Sequence, residues 1–334
     1  GHQIPAYYLP SGEFVVAETK EEALKKAQGI DKDITIDNIT QDEDVLDTWF
    51  SSWLWPITVF DGINDPDNEE INYYYPTSDL VTAPEIIFFW VARMIVAGYE
   101  YRDEMPFKNV YFTGIVRDKQ RRKMSKSLGN SPDPIELMKK YGADGVRAGM
   151  LFSAPAGNDL LFDEKLCEQG RNFSNKLWNA YRLIQTLEVT DEGKDQSLAT
   201  DWINSRFNEV LNEVEDHFSK YRISDALLSL YTFIWDDFCS WYLEIIKDNS
   251  ISDKTYKGTL GVLDKILKTL HPFMPFITEE LWNQIDDNRG YIMLSDYPSP
   301  EKFDDSLNND FKKIFEIVTG LRKLKSDNKI KQID

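Results

Sequence analysis

Six cationic side chains, Arg117, Lys119, Arg121, Arg122, Lys123 and Lys126, fall within ten residues that hold a single acid, Asp118. The chain as a whole is the reverse, with 57 acids against 38 bases and a formal net charge of −19. A basic cluster in so acidic a protein is expected to hold a concentrated anion. Lysine suits that task as a compact point charge on a flexible stem. Ser125, Ser127 and the Gly129-Asn130 turn let the backbone bend close to such a ligand. The competing reading is a solvated basic loop with no ligand.

The elements around the loop have to hold it in place. Asn109–Thr113 reads as a buried strand running straight into the loop, and Ser78–Thr82 as a second. A helix over Pro84–Gly98 lies between them, so the strand–helix–strand order predicts a parallel sheet. Ligands of such sheets bind outside the carboxyl ends of the strands, where this loop begins. Ile86, Phe88, Phe89, Val91, Met94, Ile95 and Val96 surround the helix and predict burial on every side. Glu85 and Arg93 within it would each cost roughly 2.5–3.5 kcal/mol near a bilayer centre, and Pro84 suits a first helical position. No membrane span is expected.

Asp133, Pro134 and Glu136 predict an N-cap, a first position and a capping box for a helix ending at Tyr141-Gly142. From about Asp163 strand signals nearly vanish. Helical patterns cover about 163–187, 200–218, 223–247, 253–270, 275–287 and 306–326. They break at Glu192–Asp195, Asn249–Asp253, His271–Pro275 and Tyr297–Pro300. Leu227, Leu230, Tyr231, Ile234 and Phe238 recur at helical spacing, as do Leu260, Leu263, Ile266, Leu267 and Leu270. The expected fold class is α/β plus all-α, with residues 1–165 as the α/β part and 166–334 as a helical bundle.

A length of 334 residues is a prior for about two domains, and 42% hydrophobic content supports a sizeable core. Cys167 and Cys239 form no CxxC, and His2, His217 and His271 are scattered. Neither a zinc site nor a disulfide is expected, which suits a reducing, cytoplasmic setting. The net charge argues against membrane-surface or indiscriminate nucleic-acid binding but leaves room for a local RNA footprint. Gly1-His2-Gln3-Ile4-Pro5-Ala6-Tyr7 carries no signal-peptide pattern and no initiator methionine, so a piece of something longer is expected.

The loop's core, Lys123-Met124-Ser125-Lys126-Ser127, resembles the KMSKS loop of class I aminoacyl-tRNA synthetases. Further blocks resemble the valyl-tRNA synthetase family within that class. Asp44-Val45-Leu46-Asp47-Thr48-Trp49-Phe50-Ser51-Ser52, with Leu54-Trp55-Pro56, resembles the segment that follows the editing insertion. Phe89-Trp90-Val91-Ala92-Arg93-Met94-Ile95 resembles the helix closing the amino-acid pocket. Arg171-Asn172-Phe173-Ser174-Asn175-Lys176-Leu177-Trp178-Asn179, Trp235–Tyr242 and Leu270–Trp282 resemble successive helices of the anticodon-binding domain. The likeness runs from Gly1 to about Leu324.

The resemblance implies the second half of a Rossmann-type class I catalytic domain, with a tRNA stem-contact segment, followed by a helical-bundle anticodon-binding domain. It implies ATP-dependent ligation of L-valine to the tRNA for valine through valyl-adenylate, with ATP arriving with Mg2+, in a monomer. Lys123 and Lys126 match the catalytic positions. Two ammonium groups on a mobile loop can stabilise charge on the departing pyrophosphate more in the transition state than in the ground state. Gly114, Ser125, Lys126 and Ser127 match ATP-binding positions. Trp49, Ile86 and Trp90 match the lining of the valine side-chain pocket, and Ile86 and Trp90 are four apart, so one helix face is expected to carry both. Plain core packing is the alternative for each.

Glu85 stands where the family usually has an aspartate that contacts the amino group, though it could equally complement a helix dipole. Ala83 stands where a glycine is usual, and Gln120-Arg121 where a pair containing glycine is usual. His2 lies in the re-entry segment and is no part of a HIGH motif, which this chain lacks. The first half of the nucleotide fold, the editing domain that would clear mischarged threonine and a coiled-coil arm are therefore expected to lie outside it. The piece alone is expected to bind ATP weakly and not to activate valine.

The resemblance also points to RNA contacts on the helical half and the segment joining it to the catalytic half. Lys139, Lys140, Arg171, Lys176 and Arg182 are the candidates there, with a C-terminal run of Lys312, Lys313, Arg322, Lys323, Lys325, Lys329 and Lys331. Two other readings stay open. One is a related class I enzyme for isoleucine or leucine. The other is a non-catalytic RNA-binding or interaction module, which predicts a degraded loop and pocket, whereas Lys123, Lys126, Trp49 and Trp90 are all present.

Overall fold

A computed structural model describes residues 1–153, 159–247 and 250–328. The chain divides into two compact units, Gly1–Phe112 and Thr113–Asp334. The first unit opens with three short antiparallel strands, β1 (Ala6–Tyr8), β2 (Phe14–Val16) and β3 (Thr40–Gln41), in the order β2-β1-β3. Helix α1 (Lys20–Gln28) begins where the Thr19 hydroxyl accepts from the Glu22 amide at 3.2 Å, which satisfies an otherwise orphaned donor. Its Ala23 and Ala27 close on Tyr7, Leu9 and Val15. Strands this short are not resolved by a period-2 pattern, and the sequence reading did not single them out. Three short helices follow, α2 (Trp49–Ser52), α3 (Trp55–Thr58) and α4 (Glu69–Tyr74).

Strands β4 (Thr77–Thr82) and β5 (Phe107–Phe112) pair in parallel, as the strand–helix–strand order predicts. The crossover between them departs from expectation. It starts as a 3-10 turn over Pro84–Ile86, passes through a π-helical segment, Ile87–Val91, and becomes regular only in α5 (Ala92–Arg102). Val91 and Met94 are buried with Phe107, against Leu80, Ile87, Ile95 and Val110. Burial on all sides does not hold, because Phe88 is 82% exposed, and Phe89 and Val96 are exposed as well. Neither strand is fully buried either. A parallel sheet is covered only when helices lie on both faces, and within this unit one crossover supplies the apolar cover.

The second unit carries a parallel pair, β6 (Val116–Arg117) and β7 (Leu160–Leu161), on either side of the basic loop. Its helices are α6 (Pro134–Tyr141), α7 (Ala143–Phe152), α8 (Glu164–Gln185), α9 (Ser197–Ser219), α10 (Ile223–Thr232), α11 (Leu243–Ile246), α12 (Asp253–Leu270), α13 (Pro275–Ile285) and α14 (Asp305–Asp327). A π-helical stretch, Phe233–Tyr242, joins α10 to α11. The break at Glu192–Asp195 falls on β8 (Val189–Lys194) and the residue after it; β8 bridges to Ile251 at both ends.

The periodic apolar positions form the core. Leu227, Ile234, Phe238, Leu263, Ile266, Leu267 and Leu270 are fully buried, with Tyr231 and Leu260 packed against them. Helices α7 and α8 cross so closely that a Cβ on Gly170 would collide with the Gly145 carbonyl, which is why glycine serves there. Asp133 caps α6 by accepting from the Ile135 amide at 2.8 Å. The expected capping box is not completed, because the Glu136 carboxylate turns to Lys139 at 2.7 Å. Cys167 and Cys239 are buried, unpaired thiols, and burial pushes Cys239 up to about 12.

Candidate functional site

Two residues from opposite ends of the basic loop tie it shut. The Asp118 carboxylate accepts from the Gln120 and Arg122 amides, both at 2.9 Å, and from Arg122 Nε at 2.8 Å. It also accepts from Asn130 Nδ2 at 3.0 Å, twelve residues on. Asn130 in turn accepts from the Ser125 amide at 2.9 Å and donates to the Lys123 carbonyl at 3.3 Å. The Asn130 and Arg122 donors hold the Asp118 carboxyl far below the usual range. Ser125 and Ser127 share a hydrogen bond at 3.1 Å, and Gly129 takes a φ of 62° in the turn.

A second set of bonds anchors the loop to the strand and helix behind it. Arg117 forms an ion pair with Asp159, whose other oxygen accepts from the Ile115 amide at 3.3 Å. Lys119 pairs with Asp163 at 3.3 Å, and Asp163 also caps α8 by accepting from the Lys165 amide. The Arg117 hydrogen bond lowers the Asp159 pKa, and the Lys165 amide, helped by Lys119, lowers that of Asp163. Asp159 and Asp163 lie some forty residues from their partners, and spacing alone could not single them out. Asp118 was visible as the lone acid of a basic run.

Arg117, Lys119 and Arg122 are thus neutralised within the protein, while Lys126 is exposed and has no acid partner among the described residues. Lys123 is exposed, its backbone bridged antiparallel to Arg117. Gly114 is half-buried in the segment that enters β6. The loop therefore presents ammonium groups on a backbone held by carboxylates that stay ionised, an arrangement suited to a polyanion.

In the first unit, α2 packs against the Ile87–Val91 segment. This brings half-buried Trp49 towards the stretch that carries Trp90, which is 36% exposed. Ile86 is half-buried and Glu85 exposed. Ile86 ends the 3-10 turn and Trp90 lies in the π segment, so their four-residue spacing is not one α-helical turn. Sequence reasoning missed Arg93, whose guanidinium lies over Trp49 at 4.1 Å and over Phe89 at 5.7 Å.

The proposed RNA cations are mostly engaged already. Lys139 pairs with Glu136 and Lys140 with Glu164, each at 2.7 Å; the Glu164 bond raises the Lys140 pKa. Arg171 pairs with Glu168 at 3.6 Å, and Lys176 lies over Trp235 at 5.3 Å. Arg182 is exposed. In the C-terminal run Lys313 pairs with Asp310 at 3.2 Å and Arg322 lies over Trp241 at 5.4 Å. Lys312, Lys323 and Lys325 are exposed, and Lys329 and Lys331 lie outside the described residues. Exposed pairs of this kind are weak and can be exchanged for phosphate. Among the described residues no three His, Cys, Asp or Glu side chains are placed to hold a metal ion, and no helix is long and apolar enough to cross a membrane.

Along the chain, a parallel strand pair is followed by a cationic loop and then by a helical bundle. The family model for class I tRNA synthetases (I, L, M and V) matches residues 1–163, and that for the anticodon-binding domain of tRNA ligase matches 200–334. The chain belongs to the class I tRNA synthetases, in their valine–tRNA ligase family. It is 60% identical to the valine–tRNA ligase of Bacteroides thetaiotaomicron over 96% of its length and 37% of that protein. It is 55% identical to that of Christiangramia forsetii over 99% of its length and 39% of that protein. The chain thus spans about two fifths of the curated relatives it matches.

Among solved structures, an Agrobacterium radiobacter leucyl-tRNA synthetase in a ternary complex with tRNA and LeuAMS matches with a TM-score of 0.67 at 16% identity, over 92% of this chain and 41% of that one. Mycobacterium tuberculosis methionyl-tRNA synthetase with methionyl-adenylate matches with a TM-score of 0.56 at 20% identity, over 76% of this chain and 53% of that one. Both likenesses are of fold.

Proposed function

We propose that this chain supplies the KMSKS half of the catalytic domain and the anticodon-binding bundle of an enzyme that ligates L-valine to the tRNA for valine. The single observation that carries this is the loop itself, where three cations are fixed by acids and Lys126 is left exposed. ATP enters as substrate with its Mg2+. Attack of the valine carboxylate on the α-phosphorus forms the mixed anhydride valyl-adenylate and expels pyrophosphate. Lys123 and Lys126 would stabilise charge growing on the departing oxygens, with Gly114, Ser125 and Ser127 shaping the backbone near the phosphates. Trp49, Ile86 and Trp90 would line the valine side-chain pocket, and Glu85 would meet the amino group.

The domains would run 1–165, including the stem-contact segment, and 166–334. Lys139, Lys140, Arg171, Lys176 and Arg182 would take tRNA phosphates. The enzyme would act as a cytoplasmic monomer. The test is amino-acid-dependent ATP–pyrophosphate exchange by the full-length protein against valine, isoleucine and leucine. Valine is expected to support the highest kcat/KM, exceeding isoleucine by at least about a hundredfold, the discrimination an apolar pocket can reach by size. A preference for isoleucine or leucine, or exchange with none of the three, would overturn the proposal.

A further inference from the structure

We propose that Arg121 is a further phosphate contact of the loop, engaging the triphosphate of the nucleotide held by Lys123 and Lys126. The proposal rests on the nucleotide reading above. Six cations occupy residues 117–126, and their surroundings sort them. Arg117, Lys119 and Arg122 each pair with an acid, Asp159, Asp163 and Asp118 respectively. Arg121 is exposed and, among the described residues, has no acid partner.

Its backbone is nevertheless fixed on both sides. The Arg121 amide donates to the Asp118 carbonyl at 2.8 Å, and Arg117 Nη1 donates to the Arg121 carbonyl at 3.3 Å. Arg121 sits at the tip of the turn with a φ of 63°, in the left-handed region where glycine or asparagine is at ease and arginine is not. The turn gains nothing locally from an arginine here. A guanidinium held two residues before Lys123, on a rigid backbone and free of internal acids, has the chemistry to grip a phosphate with two donors. The candidate RNA cations among the described residues lie on α6, α8 and α14 instead, which favours the nucleotide as the ligand.

The experiment measures valine-dependent ATP–pyrophosphate exchange and tRNA charging by the full-length protein with Arg121→Gly, Arg121→Asn and Arg121→Lys. The neutral variants are expected to raise KM for ATP about five- to tenfold, the size of one exposed charge-assisted contact. KM for valine should stay within twofold, and Arg121→Lys, which keeps the charge but not the two-donor fork, should recover only part of the loss. The melting temperature of Arg121→Gly should not fall, because glycine relaxes the left-handed turn. A KM for ATP within twofold of the wild type in both neutral variants would overturn the inference. So would a raised KM for tRNA with that for ATP unchanged, which would make Arg121 an RNA contact. If Lys126→Ala collapses exchange and Arg121→Gly leaves it untouched, only the inference fails. If the wild type gives no exchange or Lys126→Ala is silent, the nucleotide reading fails with it.

Discussion

In Thr113–Asp334 the large apolar side chains close on one another. Phe173, Phe207, Phe233, Phe238 and Tyr242 are fully buried in one continuous cluster that draws on α8 to α13. In Gly1–Phe112 burial falls into three small separate clusters, and Tyr73 and Phe88 are at least four-fifths exposed. An apolar run signals burial only against whatever partners the run has. The bundle helices find theirs within the unit, so period and burial agree. The Pro84–Gly98 run is as apolar as any bundle helix, yet within its own unit only the side facing Phe107 is covered.

The largest expected effect lies in the contrast between two phenylalanines. Phe238→Ala should destabilise Thr113–Asp334 by about 3–5 kcal/mol through lost burial and the cavity left behind. Phe88→Ala, at an exposed site, should change stability by no more than about 0.5 kcal/mol. Denaturant titrations of the two variants would measure both. A large loss from Phe88→Ala would mean that the first unit buries that ring after all, and the contrast would break.

A smaller effect is expected at the turn between α12 and α13. There His271 Nδ1 and the Thr278 hydroxyl share a hydrogen bond at 2.7 Å, and Asp144 accepts from the Ile277 amide at 2.6 Å. Burial lowers the His271 pKa, with Glu279 and Asp144 acting in the opposite direction. A depressed folded pKa means that the unfolded chain takes up the proton first. The contribution is therefore present above the ordinary histidine value of about 6.5 and is lost as pH falls through the folded value. Asp144, raised by burial, contributes the reverse trend in the carboxylate range. His271→Asn should flatten the fall in stability of Thr113–Asp334 below pH ~6.5. Melting curves of wild type and variant across that range would read it, and unchanged slopes would count against the assignment.

The architecture was legible wherever chemistry is local. Leu263, Ile266, Leu267 and Leu270 announce α12 because each meets the same core, and Pro134 and Gly142 mark the ends of α6. The loop announces itself by charge. What holds the loop was hidden, because Asp159 and Asp163 reach it only through the β6–β7 pairing across some forty residues. The Pro84–Gly98 helix was overread, since circumferential apolarity says nothing about whether one side or all are covered. Ile86 falls at the end of a 3-10 turn and Trp90 in the π segment, a change of helix type that the apolar run does not signal. Arg121 was visible as one of six cations, but its left-handed backbone, and its lack of an acid partner among the described residues, emerged only from the folded loop.

The loop's division of labour is tested most directly by pyrophosphate-exchange kinetics of the full-length protein carrying Lys126→Ala. The account predicts a fall in kcat of about 10²–10³-fold, the size of losing one donor aimed at developing charge, with the melting temperature unchanged because the exposed Lys126 side chain has no acid partner among the described residues. Exchange retained within about twofold of the wild type would contradict it.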